Sequence, residues 1–418
     1  VFTTVDLELQ AAAEAAARNR VAELAEDDRK VSNAAVVSIR PRTGEILAMV
    51  GSLDYWNKEI DGKYNVALAE RQPGSSFKPY TYVTAFAQGY TAATMVMDVH
   101  TCPNPNDPSW CPENYPDRQG NRPYHGPVRV RHALANSYNI PAVKVMKMVG
   151  VGNVIKTAHA MGITTLRKDL DFYGLSLTLG GGEVKLIDHV YAFGELSNGG
   201  MMYGMPISED RHEMGYRELD PVAIMRVDDR EGDTIWQYEQ PDSQRVLDPK
   251  LAFLITDILS DNPARLWSFN VDNKLHLADR PAAAKTGTTD AWHDSWTIGY
   301  TPQIVTGVWV GNTDNSPMKY VPGSYGAAYV WNDVMVAAHE GLPVEVFTRP
   351  GGLIEEHVCS VSGLRPNGDC PSVVTELFVA GTEPVMACDI HKAYNINRET
   401  GNLATPNTPP ELIESKVY

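Results

Sequence analysis

The chain has 418 residues, more than one ordinary domain needs, and its 43% apolar content can bury a sizeable core, which excludes a largely disordered protein. Acidic residues outnumber lysines and arginines by 52 to 36, a formal net charge of −16 with no basic run, which argues against a nucleic-acid partner gripped by its phosphates. No apolar run is long enough to span a bilayer and no signal peptide is legible. Residues 6–26 then read as a helix, with Leu9, Ala13, Ala16, Ala17, Val21 and Leu24 on one face. NAAVVSIRPRTGEILAMVG is two β-rich runs around a turn at Gly44, an antiparallel hairpin. From 76 to about 270 the signals are mostly helical, with helical spacing at 128–149, 184–198 and 248–260 and a further hairpin at 223–238 turning at Glu231-Gly232. Short β runs return between 281 and 311, and 326–341 closes as an amphipathic helix. Strands from both ends of the domain with helices between predict an α+β fold, one antiparallel sheet carrying a helical insertion. Residues 350–418 are rich in Gly, Pro, Thr and Cys with weak periodicity, and read as a small accessory module and a tail.

Five cysteines occur. Cys102 and Cys111 bracket the loop PNPNDPSW and are either a disulfide of an oxidising compartment or two free thiols. Cys359, Cys370, Cys388 and His391 offer a Cys₃His zinc set, since Cys388-x-x-His391 has ligand-like spacing, but the other gaps are not finger-like. One disulfide plus a thiol, or surface cysteines, are the alternatives, and no metal is assigned.

Three short motifs carry chemistry. Ser75-x-x-Lys78 follows Gly74 and opens an apolar helix, so that a spacing of three stacks both side chains on one face and aims helix N–H groups at whatever Ser75 attacks. A second match, Ser316-x-x-Lys319, lies in a Pro-rich loop. Ser-x-Asn occurs at Ser137-Tyr138-Asn139, Ser260-Asp261-Asn262 and Ser268-Phe269-Asn270, a pattern equally served by loops and helix caps. Lys285-Thr286-Gly287-Thr288 sits in a β run, where Thr286 and Thr288 share a side and Gly287 permits close backbone approach; a polar edge strand is the plain alternative. His293, five residues past Thr288, reads as a surface-loop histidine near the cleft rim.

The order Ser-x-x-Lys, Ser-x-Asn, Lys-Thr-Gly resembles penicillin-binding proteins and serine β-lactamases. RQPGSSFKPYTYVTAF, ALANSYNIPAVKVM, LTLGGGEVKLIDHVYAFGELSNGG and AAAKTGTTDAWHDSWTIGYTPQIVTGVWVGN resemble the transpeptidase region of class A (bifunctional) penicillin-binding proteins, from residue 1 to about 341. The resemblance implies a β-lactamase/DD-peptidase-like fold, a central five-stranded antiparallel sheet flanked by helices with a largely helical second subdomain. It divides the chain into a linker helix (1–32), a transpeptidase domain (33–348, helical insertion about 80–270) and a Cys-containing C-terminal module and tail (349–418). In that family a glycosyltransferase domain and membrane anchor come first, and a start at VFTTVDLELQ fits a cut in the linker between the two. The implied activity is peptidoglycan DD-transpeptidation on the extracytoplasmic face of a bacterial membrane, blocked by β-lactams, with stem peptides and β-lactams as partners and no cofactor. The implied roles are Ser75 as nucleophile, Lys78 as base and Ser137 as proton relay. Asn139 would hold the stem peptide, Lys285, Thr286, Gly287 and Thr288 its carboxylate end, and the N–H groups of Ser75 and Thr288 would form the oxyanion hole. The rivals are a β-lactam hydrolase and a non-catalytic β-lactam sensor or wall-binding module. Glu195-Leu196-Ser197-Asn198, similar to the deacylating segment of class A β-lactamases, reads here as an ordinary helix end. The sequence leaves open whether loop 100–127 covers the cleft.

Overall fold

The structure, a computed structural model, describes residues 1–103, 110–116 and 123–418. One antiparallel sheet runs in the order Ala283–Thr288, Asp294–Tyr300, Val305–Gly311, Asn33–Arg40, Glu45–Val50. Its central strands are apolar almost throughout because both faces are covered, so they lack the in–out alternation of a half-exposed sheet. The pleat sends Ala34, Val36, Val308 and Val310 to one face, where they pack with the helices Leu7–Glu26 and Ala327–Ala338. Ala35, Val37, Ile39, Ile298 and Trp309 point the other way, into the core shared with the helical insertion. Asp6 starts the first helix by accepting the N–H groups of Glu8 and Leu9 at 3.0 and 3.1 Å.

The insertion supplies the helices Lys78–Ala87, Val130–Ala135, Asn139–Val149, Leu186–Ser197 and Pro249–Ser260. The helical spacing read over 128–149 is broken at 136–138, where the chain turns a corner that matters below. The C-terminal segment holds more order than its composition suggested: two antiparallel hairpins, Leu353–Cys359 with Val373–Val379 and Ala393–Asn397 with Ile413–Val417. The first is bolted to the insertion by a buried charge cluster. Glu376, 1% exposed, receives Arg129 Nη1 at 2.7 Å and Arg131 Nε at 2.9 Å, and Arg131 also reaches Asp257 and Asp261. Cys102 and Cys111 are joined as a disulfide, which decides between the two readings of that pair. Part of loop 100–127 lies outside the described residues. Among the described residues no helix is long and apolar enough to cross a membrane.

Candidate active site

Ser75 lies in a short 3₁₀ turn, Gly74–Phe77, that runs directly into the Lys78–Ala87 helix. In a 3₁₀ turn residues three apart eclipse, so Lys78 stands over Ser75. Pro79 falls in the first helical turn, where no intrahelical partner for its missing N–H would exist. The turn is pressed against the Lys-Thr-Gly strand by two glycines. A Cβ on Gly287 would lie 2.0 Å from Pro73 O, and one on Gly74 would lie 2.6 Å from Thr288 N. Only residues without a Cβ let these two backbones meet, and the meeting sets the turn that carries Ser75 directly against Thr288.

Ser137 sits at the corner between two insertion helices with φ of +61°, a left-handed conformation unusual for a residue with a Cβ. Asn136 holds the corner: its Nδ2 donates to His132 O at 3.0 Å and Ala264 O at 2.8 Å, and its Oδ1 accepts the Ser268 N–H at 2.9 Å. The serine hydroxyl thereby falls between two lysines, with Lys285 Nζ at 2.7 Å and Lys78 Nζ at 3.3 Å from Ser137 Oγ. Lys285 Nζ also donates to Thr286 O at 2.9 Å. Lys78 Nζ donates to Ser137 O at 2.6 Å and Asn139 Oδ1 at 2.7 Å.

Both amines are buried, which disfavours their charged forms. Burial, then repulsion from Lys285, hold Lys78 well below its ordinary value, against a weaker pull from Asp98. Lys285 is brought down to about 7 by burial and by the Arg265 guanidinium. A neutral Lys78 has two N–H bonds and one lone pair. Its two N–H bonds match the acceptors Ser137 O and Asn139 Oδ1, leaving the lone pair for a hydroxyl proton. Among the described residues Lys78 makes no hydrogen bond to the Ser75 hydroxyl; contacts of this kind often tighten only when substrate binds.

Asn139 has further partners. Besides Lys78, its Nδ2 donates to Glu113 O at 2.7 Å and its backbone N–H to Asn114 Oδ1 at 2.9 Å. Asn114 in turn donates to Asp98 Oδ1 and Oδ2 at 2.9 and 2.8 Å, and Tyr115 stands edge-on to Trp292 at 5.5 Å between ring centres. Segment 110–116 therefore reaches from the Ser137–Asn139 side of the site to the loop beyond the Lys-Thr-Gly strand. Thr288 Oγ1 accepts the Gly323 N–H at 3.0 Å, so its own hydroxyl proton remains to be donated.

The penicillin binding protein transpeptidase domain matches residues 34–335 of this sequence, which contain every group just described. The chain belongs to the penicillin-binding protein transpeptidase family. The C-terminal domain of penicillin-binding protein 1A matches residues 349–393. Penicillin-binding protein 2D of Bacillus subtilis is 32% identical over 398 residues, covering 93% of this chain and 52% of that protein. Penicillin-binding protein 1A of Aquifex aeolicus is 31% identical over 362 residues, 84% of this chain and 44% of that protein. The chain thus spans about half the length of these curated relatives. The solved structure of the penicillin-binding protein PonA1 from Mycobacterium tuberculosis superposes with a TM-score of 0.68 at 25% identity, over 84% of this chain and 87% of that one. Penicillin-binding protein 1A from Haemophilus influenzae shares the fold, with a TM-score of 0.69 at 24% identity over 85% of this chain and 55% of that one. The α+β, DD-peptidase/β-lactamase-type fold is the one expected from the sequence.

Within the penicillin-binding fold the other motif matches fall elsewhere. Lys319 pairs with Asp28 at 3.2 Å on the surface, and Ser316 closes a turn on Asp314. Asp261 of Ser260-Asp261-Asn262 serves the Arg131 cluster, and Ser268 buttresses Asn136 through its backbone N–H. His293 Nδ1 contacts Asn315 O at 2.6 Å on the loop after the Lys-Thr-Gly strand. Glu195 is 1% exposed, and burial pushes its carboxyl well above the ordinary range, which favours its neutral form. Other site residues were not singled out in the sequence. His189, fully buried and pushed down to about 3 by that burial, links Ser76 Oγ at 2.9 Å to Tyr80 OH at 2.8 Å and anchors the turn that carries Ser75. Arg265, 2% exposed, sets the charge around Lys285, and Gly180 packs on Gly74 from the other side. A lone histidine inside an apolar helix and an arginine in a loop carry no signal of their own. Gly180 stands in a Gly-Gly-Gly run that is such a signal.

Proposed function

We propose that this chain is the transpeptidase unit of a peptidoglycan synthase, forming a Ser75 acyl-enzyme at D-Ala-D-Ala and passing it to the amine of a neighbouring stem peptide. The observation that carries the reading is the Lys78–Ser137–Lys285 chain, in which one hydroxyl lies 2.7 Å from one amine and 3.3 Å from another. A serine hydroxyl is a weak nucleophile and needs an adjacent base. Neutral Lys78 takes the Ser75 proton as Oγ attacks the carbonyl carbon between the two D-alanines. The N–H groups of Ser75 and Thr288 hold the oxyanion, where losing one donor costs about 10²–10³ in rate. Collapse expels D-alanine, whose nitrogen receives a proton relayed from Lys78 through Ser137. Lys285 as ammonium, with the Thr286 and Thr288 hydroxyls, binds the terminal carboxylate. Asn139 binds the peptide backbone: its Nδ2 carries two N–H bonds, one given to Glu113 O, and the second serves a substrate carbonyl.

Deacylation by an amine then cross-links two strands, while water gives carboxypeptidase activity. β-Lactams acylate the same serine and stay, consistent with the solved complex of PonA1 with penicillin V, which resembles this chain with a TM-score of 0.67 at 25% identity. The site works on the extracytoplasmic side, where its substrate lies and where the Cys102–Cys111 disulfide persists. Against the hydrolase reading stands Glu195, buried so that its neutral form is favoured, and among the described residues hydrogen-bonded through neither carboxyl oxygen. Asp98, the acid acting on Lys78, is occupied by Asn114 and His125. The test is intact mass after benzylpenicillin, followed by a stem-peptide acceptor assay. A stable adduct on the native chain, none on Ser75→Ala, and a cross-linked product support the proposal. Equal labelling of both proteins, rapid loss of the adduct, or acylation without cross-linking refutes it, and the last two outcomes identify the hydrolase and the sensor.

A further inference from the structure

The C-terminal module contains a side-chain cluster that the transpeptidase chemistry does not use. Cys359 ends the Leu353–Cys359 strand, Cys370 precedes the Val373–Val379 strand, and Cys388 and His391 lie in the loop beyond. Their three sulfurs and one ring nitrogen all lie within 4.8 Å of one another. His391 Nδ1 is 3.4 Å from Cys359 Sγ and 3.3 Å from Cys388 Sγ. A tetrahedral ion with Zn–S of about 2.3 Å and Zn–N of about 2.0–2.1 Å needs its ligand atoms about 3.5–3.8 Å apart. The two His391–sulfur separations are close to that spacing, and the other pairs lie within about 1 Å of it, a small closure around one point. The cluster is also reduced: these three cysteines form no disulfide, in contrast to Cys102 and Cys111 of the same chain.

The backbone around the cluster is built to hold it. Asn367 Nδ2 donates to Cys388 O at 2.7 Å and His391 O at 3.0 Å, clamping both ends of the Cys-x-x-His loop. Its Oδ1 accepts the Asp369 N–H at 2.9 Å and the Cys370 thiol at 3.3 Å. Cys388 N–H donates to Arg365 O at 2.7 Å, which ties that loop to the turn between the first two cysteines. Cys359 and Cys388 are buried, whereas Cys370 and His391 are partly open, giving an ion a way in.

We propose that Cys359, Cys370, Cys388 and His391 bind one structural Zn²⁺ in a closed Cys₃His site. Three thiolates and a neutral imidazole suit zinc: the sulfur-rich set is too soft for Mg²⁺ or Ca²⁺, and four protein ligands leave no open position for chemistry. Loading releases the three thiol protons to solvent, and Cys370 exchanges its bond to Asn367 Oδ1 for the metal. The ion joins three separate segments of a small module whose buried apolar cluster is small: Val358 and Phe378 with Ala93 of the insertion, and Ile354 and Val374 packed against them. The same hairpin carries Glu376, so the ion stiffens the strand that clamps Arg129 and Arg131 at the start of the helix leading to Ser137.

The test uses the full chain purified without chelator. Elemental analysis should give one zinc per chain, and Co²⁺ exchanged into the site should show thiolate charge-transfer bands and intense tetrahedral d–d bands, saturating at one equivalent. Cys388→Ser and His391→Ala should lose the metal and the bands while still forming the penicillin adduct, and His391→Cys should keep both. Should a variant fail to fold, chelator stripping of the native chain and re-addition of Zn²⁺ reads the same site: stripping lowers the melting temperature and zinc restores it. The inference is overturned by a disulfide among the three cysteines in the native mass, by no zinc and no thiolate band in a chain with three reactive thiols, or by variants that hold as much metal as the native chain. Because the penicillin adduct is read separately, a failed metal test leaves the transpeptidase reading standing.

Discussion

Gly287→Ala tests whether the close approach of two backbones creates the oxyanion hole. The new Cβ would stand 2.0 Å from Pro73 O and 3.0 Å from Ser76 Oγ. The hydroxyl can rotate, but the carbonyl belongs to the backbone of the turn that holds Ser75, and Ser76 Oγ is already committed to Pro73 O at 2.7 Å and His189 Nε2 at 2.9 Å. Turn and strand must therefore part by roughly 1 Å, and a misplacement of that size at reacting groups costs about 10²-fold in rate. Overpacking of this kind also destabilises by about 1–3 kcal/mol. Stopped-flow acylation by a chromogenic β-lactam should show the rate constant falling by about 10² while the denaturation midpoint falls modestly. Gly351→Ala, where a Cβ meets nothing within 4 Å, is the control and should acylate normally. Native acylation by Gly287→Ala would mean that Thr288 N–H is not held against the Ser75 turn for catalysis.

The acylation rate constant kcat/KM should trace a bell against pH: Lys78 becomes protonated and loses its base function as pH falls, and Lys285 loses the proton that binds carboxylate as pH rises through about 7. Arg265→Met should move the alkaline limb upward, since it removes a repelling charge from Lys285; an unmoved limb would reject that coupling. Ser137→Ala should slow acylation by about 10²–10⁴. Ser137→Gly should be as slow yet more stable than the alanine variant by about 1 kcal/mol, because only alanine keeps the left-handed strain. Glu195→Gln should leave acylation and deacylation within about twofold, since a neutral acid is replaced by a neutral amide and a change under 0.5 kcal/mol is about that factor; loss of turnover would revive the hydrolase reading. Glu376→Ala should cost about 3–5 kcal/mol in urea unfolding by leaving buried Arg129 without its carboxylate, while Arg131 keeps Asp257 and Asp261; a smaller loss would show that the cluster relaxes into water.

The sheet and the site were legible because their signals are local. Short β-rich runs marked the strands, Lys285-Thr286-Gly287 lies within one of them, and Ser75-x-x-Lys78 spans a short turn and the start of the helix it opens. The corner at 136–138 was not legible, because Val130–Ala135 and Asn139–Val149 keep apolar spacing across the break and the left-handed turn falls on a serine, not a glycine. The C-terminal hairpins were missed because their strands are largely exposed and their side chains carry little period-two pattern, as in Ile413–Val417, exposed throughout. His189 reaches Ser76 and Tyr80 from more than 100 residues away, and Arg265 acts on Lys285 through burial that only the folded chain reveals.

The central claim is that one hydroxyl, Ser75 Oγ, becomes the acyl carrier. The most direct measurement is peptide-level mass spectrometry of the chain digested after benzylpenicillin. It should place the penicilloyl group on Ser75 within QPGSSFK; an adduct on Ser76, on Ser137 or in any other peptide would contradict it.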